Sequence, residues 1–172
     1  MNSAILNTSS LSGLPRVERG RVQLVRGGAG LPAAAFWGSL AMRLALVLAP
    51  QFDTMATDGE SIFVNADFAD SLTEEELIGV LAHEAAHCAL NHMGRRGSRD
   101  PGLWNEACDY EINPLLIAHG FTLPRGCLLD SRFDGLACEQ IYTILANERA
   151  QQNKPQQQPQ QGQQQGQQGQ QG

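Results

Sequence analysis

Residues 71–96, SLTEEELIGVLAHEAAHCALNHMGRR, carry the strongest helix signal in the chain and also its most unusual polar residues. Thr73 and Glu76 form a capping-box pattern at the start, and Arg95 and Arg96 lie at the end where the helix dipole favours cations. Apolar residues occupy most of the positions between them. We therefore predict one long, largely buried helix, in which ionisable side chains need a partner or an ion.

Two histidines and a glutamate in this helix are spaced for hydrolytic chemistry. His83 and His87 lie four residues apart, so they are offset by only about 40° and direct both imidazoles to one point. Glu84 lies roughly 100° from His83 and 60° from His87 around the helix axis. Zinc hydrolysis uses two neutral nitrogen ligands and a nearby carboxylate that takes a proton from water. The alternative is a pair of core histidines bonded to backbone or carboxylate groups.

A third protein ligand is expected from elsewhere in the fold, because catalytic zinc sites keep one position open for water. In WNEACDYEIN, residues 104–113, Asn105 and Asp109 lie together on one flank of the predicted apolar face. Asp109 is therefore the first candidate, and Asn105 could hydrogen-bond a ligand or the substrate. Glu111 falls on the apolar face and is the second candidate, whereas Glu106 points nearly opposite to the core.

Three further side chains are candidates for contacts around the site. His92 follows His87 by five residues, which in a continuous helix turns it about 140° away from the ion. It is predicted to be structural, or to contact a ligand or the substrate. Tyr110, His92 and His119 are candidates, by residue type alone, for the donor that stabilises the oxyanion.

The segments before the central helix predict a small sheet and one further helix. RVQLV at 21–25 has the pattern of a short strand, and the apolar run at 33–49 that of a buried amphipathic helix. This run contains an arginine, which argues against a membrane span. TMATDGESIFVN at 54–65 predicts two short strands joined at Asp58-Gly59 in a tight hairpin.

The segments after the central helix predict two more helices. One runs from Asp100, with Pro101 at its first position, to about Asn113, where Pro114 is expected to end it. A loop of turns follows. The closing helix at 136–150 carries an apolar face formed by Leu136, Ile141, Ile144 and Leu145.

Composition limits the classes of function and the extent of the domain. The net charge is −6, and no basic stripe extends beyond residues 94–99, which argues against nucleic-acid binding. No secretory signal is evident, and a cytoplasmic protein is expected. The four cysteines form no CxxC pair, so their spacing indicates neither a thiolate zinc site nor a disulfide framework. We predict a poorly ordered segment at 1–19, a domain at 20–150 and a disordered Gln/Gly/Pro-rich tail at 151–172.

The sequence resembles the metallopeptidase domain that typically precedes a von Willebrand factor A-like domain in bacterial proteins. The matching stretches are FWGSLAMRLALV, TMATDGESIFVNADF, LIGVLAHEAAHCALNHMGRRGSRDPGLWNEACDYEIN and GFTLPRGCLLDSRFDGLACEQIYTIL. The resemblance implies a zincin-like α+β fold, in which a small twisted sheet with an edge hairpin packs on the HExxH helix. It implies one zinc ion on His83, His87 and Asp109, with Glu84 as general base.

The resemblance also implies how a substrate is held and selected. The hairpin at 54–65 resembles the edge strand on which zincin peptidases hold an extended peptide by strand addition. The Gln-rich tail stands where the von Willebrand factor A-like domain is expected, so a separate partner protein could supply substrate selection.

The predicted function is therefore a zinc-dependent peptidase that hydrolyses peptide bonds with a metal-activated water. Its predicted partner is a protein or peptide substrate, without nucleic acid or membrane. Two alternatives remain open: a catalytically inactive, zinc-containing binding or scaffold module, and a metal-free assembly protein that acts through its Gln-rich tail.

Overall fold

The computed structural model describes residues 13–27 and 30–152, which form seven α-helices, one 3-10 helix and a three-stranded sheet. The helices are α1 (Gly13–Val25), α2 (Ala34–Ala41), α3 (Ala66–Ser71), α4 (Glu74–Ala89), α5 (His92–Arg95), α6 (Pro101–Ala118) and α7 (Cys138–Gln152). The strands are β1 (Ala45–Leu48), β2 (Ala56–Thr57) and β3 (Ser61–Val64), and the 3-10 helix is Ser131–Phe133. The predicted α+β class is confirmed, while its zincin-like assignment stays a prediction.

The sheet is small and mixed, with the strand order β1-β3-β2. β1 pairs with β3 in parallel, and β2 pairs with β3 antiparallel, which confirms the predicted hairpin. In the turn, Asp58 Oδ1 accepts the backbone N–H groups of Glu60 and Ser61, and Gly59 adopts a φ of +96°. That conformation suits glycine, because it has no Cβ. The hairpin leaves β2 at the edge of the sheet.

α4 lies at the centre of the main core, where α1, α2, α6 and β2 all contact it. The predicted capping box is present: Thr73 accepts the Glu76 N–H, and the Glu76 side chain accepts the Thr73 N–H. Gly79 is required by a close approach, because a Cβ there would lie 2.0 Å from the Thr122 carbonyl oxygen. The chain that follows α6 is therefore held directly against α4.

A second, smaller core joins α6 to α7, which pack closely against each other. Its buried residues are Leu103, Trp104, Ala107, Cys108, Phe133, Cys138, Ile141 and Leu145. The predicted apolar face of the closing helix is thus found in this core, with Leu136 and Ile144 partly buried beside it.

Two predictions for the first third of the chain are wrong. Residues 21–25 are the last part of α1, in which Val17 and Leu24 lie seven positions apart on one buried face. The apolar run at 33–49 is a helix only as far as Ala41, and its later part is strand β1. A short apolar run fits either state, and backbone pairing with β3 decides for the strand.

Two predicted helix ends are also wrong. The central helix stops at Ala89, because Asn91 adopts the left-handed conformation (φ 53°) and the short helix α5 starts at His92. Asn is among the few residues other than glycine that adopt this conformation readily. α6 starts as predicted, with Asp100 as N-cap, but continues past Pro114 to Ala118. Pro114 cannot donate to a preceding carbonyl group, and packing of the helix into the core outweighs that loss.

The predicted terminal segments lie partly outside the described residues. Residues 13–19 form the first half of α1, whereas 1–12 are outside the description. In the predicted tail, α7 includes 151–152, and 153–172 are outside it. Within the described ranges, no helix combines the length and apolarity needed to cross a membrane.

Candidate metal centre

Three polar side chains meet where α4 packs against α6. His83 and His87 project from α4, and Asp109 projects from α6. The two Nε2 atoms lie 2.9 Å apart, and Asp109 Oδ1 lies 3.3 Å from His83 Nε2 and 3.2 Å from His87 Nε2. Three atoms that can donate a lone pair to a metal ion, here called the donor atoms, therefore converge on one point.

Asn113 determines which nitrogen of His83 carries the hydrogen. Asn113 Nδ2 donates to the Leu128 carbonyl oxygen at 3.0 Å, so its Oδ1 is left to accept from His83 Nδ1, also at 3.0 Å. With its hydrogen on Nδ1, neutral His83 has a lone pair at Nε2. Asn113 is only 3 % exposed, so this orientation is held inside the protein.

His92 has the corresponding role for His87. His87 Nδ1 lies 3.1 Å from His92 Nδ1, and His92 Nε2 lies 3.1 Å from Glu111 Oε2. An ionised carboxylate can only accept, so neutral His92 donates from Nε2 and accepts at Nδ1 the hydrogen of His87. His87 is then left with its lone pair at Nε2, facing the same point as that of His83.

Asp109 completes the set with a buried oxygen. Its Oδ1 accepts no hydrogen bond of good geometry from any described residue, although both imidazoles are close. Its Oδ2 is the acceptor for Asn105 Nδ2 at 3.4 Å. A buried carboxylate oxygen without a hydrogen bond is costly, and two imidazole lone pairs lie beside it. A single cation would satisfy all three donor atoms at once.

This donor set fits zinc. Two imidazoles and one carboxylate are typical protein ligands of catalytic zinc sites. Tetrahedral bonds of about 2.0–2.2 Å place neighbouring ligand atoms roughly 3.3–3.6 Å apart, a little more than the 2.9–3.3 Å between these atoms. Within the described ranges this group of potential ligands has three members, His83, His87 and Asp109, which leaves the fourth position open.

The electrostatics of the site keep one ligand neutral and one carboxyl group close to titration at neutral pH. Burial lowers the pKa of His87 to about 4, so its imidazole is neutral at pH 7. Burial raises the pKa of Glu84 to about 7, although attraction to His83 opposes this. For Asp109, burial is outweighed in the metal-free protein by hydrogen bonding and attraction to imidazole N–H groups of His83 and His87 whenever these face its oxygen, which lowers its pKa to about 2. Asp109 is thus ionised, and Glu84 can both take up and release a proton near pH 7.

A cleft of about 600 Å³ gives access to the three donors and to Glu84. Residues 54–57, which include the edge strand β2, form one part of its lining, and residues 123–128 after α6 form another. Arg96 and Arg125 also line the cleft, and both side chains are exposed. Neither guanidinium makes an ion pair or hydrogen bond with the described residues.

The comparisons with known proteins agree with this geometry. Residues 31–172 match the protein family described as "Putative metallopeptidase domain". The chain belongs to this family. No curated protein and no solved structure gives a match. The predicted neighbour of this metallopeptidase domain, a von Willebrand factor A-like domain, stays a prediction.

The three candidate carboxylates of this metallopeptidase domain lie in different surroundings. Asp109 is the one beside the histidines. Glu106 instead pairs with Arg149 at 2.8 Å near the surface. Glu111 bonds to His92 on the side away from the converging donors. The geometry therefore favours Asp109 as the third ligand.

Two of the predicted substrate-contacting residues lie outside the cleft lining. Tyr110 packs edge-on against Phe133, with ring centroids 4.8 Å apart. His119 is exposed at the end of α6, and its Nδ1 lies 2.7 Å from the Leu115 carbonyl oxygen. Asn105 and His92 do line the cleft. His92 reaches His87 because the helix break at Asn91 replaces the predicted continuous helix.

Sequence reasoning missed Asn113, Arg96 and Arg125. Asn113 lies one helical turn after Asp109 on α6, so the i, i+4 spacing that selected Asn105 could also have selected it. Its second contact, with the Leu128 carbonyl, depends on the path of a loop and leaves no pattern in the sequence. The two arginines come from separate segments and are brought to the cleft only by the fold.

Proposed function

We propose that this chain is a zinc-dependent peptidase of zincin-like architecture. The observation that carries the proposal is the convergence of three potential ligand atoms, His83 Nε2, His87 Nε2 and Asp109 Oδ1, beside a buried glutamate in an open cleft. A packed core would gain nothing from a buried carboxylate oxygen, Asp109 Oδ1, that accepts no hydrogen bond from the described residues.

Glu84 has the role of general base in this proposal. Zinc held by the three donors would acidify a water molecule and polarise the scissile carbonyl group. Glu84 would accept the proton of that water and deliver it to the leaving nitrogen. Burial holds the pKa of Glu84 near 7 in the metal-free protein, and a bound cation would lower it, so that Glu84 would be ionised and able to accept the proton.

The cleft suits a peptide in an extended conformation. β2 pairs on one side with β3, and the order of the described strands places it at the sheet edge beside the donors. An extended chain could add to that edge through main-chain hydrogen bonds. Arg96 and Arg125, which have no partners in the described part of the chain, would favour acidic groups on the substrate.

The scaffold alternative makes a different prediction about the same site. A structural zinc site has four protein ligands and holds no exchangeable position for water. The group around His83, His87 and Asp109 has three potential ligands among the described residues and opens to the cleft. This favours the peptidase, and a test of turnover distinguishes the two.

The decisive experiment compares cleavage by three proteins, each supplied with one equivalent of zinc. A mixed peptide pool is incubated with wild type, Glu84→Gln and Glu75→Gln, and the products are identified by mass spectrometry. Glu75 is an exposed residue of the same helix and serves as the matched control. Wild type and Glu75→Gln should cleave the same peptides, whereas Glu84→Gln should bind zinc and cleave none.

Two results would overturn the proposal. Cleavage by Glu84→Gln at the wild-type rate would remove Glu84 from the mechanism. A zinc-loaded wild type that leaves every peptide of the pool intact would favour the scaffold alternative. Removal of residues 153–172 should change neither zinc binding nor cleavage, and loss of both would favour an assembly role for the tail.

A further inference from the structure

A second group of potential metal ligands lies behind the first, in the small core between α6 and α7. It consists of His92, Cys108 and Cys138, whose ligand atoms all lie within 4.8 Å of one another. These residues come from α5, α6 and α7, so their spacing in the sequence gives no CxxC signal. All three are at most 2 % exposed.

From this cluster we infer a second metal site, for a thiophilic d10 ion such as Zn²⁺ or Cd²⁺. Two thiolates and an imidazole form a soft donor set that selects such ions over hard cations like Mg²⁺. Zinc bonds of about 2.3 Å to sulfur and 2.0–2.1 Å to nitrogen place ligand atoms roughly 3.5–3.8 Å apart. Shifts of about 1 Å would therefore suffice, and both thiols would release their protons to solvent on binding.

The surroundings of the cluster indicate a structural site. Its three side chains are at most 2 % exposed, although His92 and Cys108 lie along the wall of the same cleft that opens to the first site. Glu111 Oε2 lies beside it, 3.1 Å from His92 Nε2 and 3.2 Å from the Cys138 backbone nitrogen, and is the neighbouring candidate for a fourth ligand. An ion held there would tie α7 to α5 and α6, in addition to the apolar packing on α6 and the ion pairs of Glu139 with Arg95 and of Arg149 with Glu106.

The second site is connected to the first through His92. At present His92 Nε2 donates to Glu111, and His92 Nδ1 accepts from His87. Whichever of these two nitrogens binds an ion can no longer make its hydrogen bond. An ion on Nε2 would leave the His92 hydrogen on Nδ1, so His87 would have to carry its own on Nε2, facing the first site. An ion on Nδ1 would remove the acceptor that orients His87. In both cases the second ion weakens the first site.

Cadmium binding tests this site independently of catalysis. A cadmium–thiolate bond gives an ultraviolet charge-transfer band that imidazole and carboxylate ligands do not give. Reduced wild type and His83→Ala, in which the first site is broken, should both develop the band. Cys108→Ser/Cys138→Ser should lack it, and Cys127→Ser should keep it. No band in folded wild type, or a band that survives in the double variant, would overturn the inference.

Calorimetry on the same proteins tests the connection between the sites. His83→Ala should bind about one Cd²⁺ at the second site, and Cys108→Ser/Cys138→Ser about one at the first. Wild type should show two Cd²⁺ affinities. The lower of them should be at least tenfold below the affinity of the variant that keeps only the same site, as expected when a ligand loses the partner that orients it. Equal affinities would contradict the connection. If the double variant does not fold, Cys138→Ala alone replaces it.

These outcomes are distinct from those of the peptidase proposal. Neither readout requires turnover, so an inactive protein that shows the thiolate band would support the second site while contradicting the proposed function. An active protein without the band would do the reverse.

Discussion

Replacing Glu84 by glutamine should make the metal-free protein more stable at alkaline pH, although the same change should abolish catalysis. Burial raises the pKa of Glu84 from its ordinary value of 4.5 to about 7. Between these values the folded protein binds more protons than the unfolded chain, so its unfolding free energy falls as pH rises. Glutamine has no proton to lose and escapes this loss.

The magnitude follows from the two pKa values. A separation of roughly 2.5 pH units, at about 1.4 kcal/mol per unit, sets a ceiling of about 3 kcal/mol. The stability difference between Glu84→Gln and wild type should therefore be smallest below about pH 4.5, increase through neutrality and become constant above about pH 8. Any change in packing caused by the amide shifts this difference equally at every pH, so the slope is the informative quantity.

Urea denaturation followed by circular dichroism, in EDTA and at pH values from 5 to 8, measures this slope. Glu75→Gln, exposed on the same helix, should differ from wild type by an amount that stays constant over this range. If the stability difference between Glu84→Gln and wild type is constant, or increases toward acid pH, burial does not raise the pKa of Glu84. Saturating zinc should reduce the gain, because a nearby cation favours the ionised carboxylate.

Three further variants test the supports of the site. Asn113→Ala should lower zinc affinity about 10- to 100-fold in a chelator competition, because His83 loses the partner that orients it, and Asn105→Ala should have a smaller effect. Equal zinc affinities of Asn113→Ala and wild type would count against this role of Asn113. Gly79→Ala should cost about 1–3 kcal/mol in urea denaturation, because its Cβ would overlap the Thr122 carbonyl oxygen, whereas Gly102→Ala, with only ordinary contacts, should gain up to about 1 kcal/mol. A stabilised Gly79→Ala would show that the loop moves freely. Arg125→Glu should raise KM for acidic peptides about three- to tenfold and leave neutral peptides unchanged; equal effects on both would indicate that it does not read substrate charge.

Local patterns predicted the parts of the fold that depend on local interactions. The capping box of Thr73 and Glu76 and the N-cap Asp100 follow from hydrogen bonds within three residues. The Asp58-Gly59 turn follows from the conformational freedom of glycine. The match of residues 31–172 to the family confirms the predicted resemblance to a metallopeptidase domain.

Interactions between distant segments decided what the sequence could not show. The apolar run at 33–49 becomes part helix and part strand, because β3 supplies a partner for β1. A left-handed residue at Asn91 breaks the central helix and places His92 beside His87. The sequence pattern predicts neither the helix break at Asn91 nor the proximity of Cys108 and Cys138. The three donors His83, His87 and Asp109 are brought together as expected, while their role as metal ligands stays a proposal.

The most direct test of the central claim is an anomalous difference map, recorded at the zinc absorption edge, from crystals of the zinc-loaded protein. The account predicts a peak within bonding distance of His83 Nε2, His87 Nε2 and Asp109 Oδ1, with the fourth position facing the cleft. A map without a peak at these atoms, with both histidines bonded only to Asp109, would show that the group is part of the core and contradict the proposed metal centre.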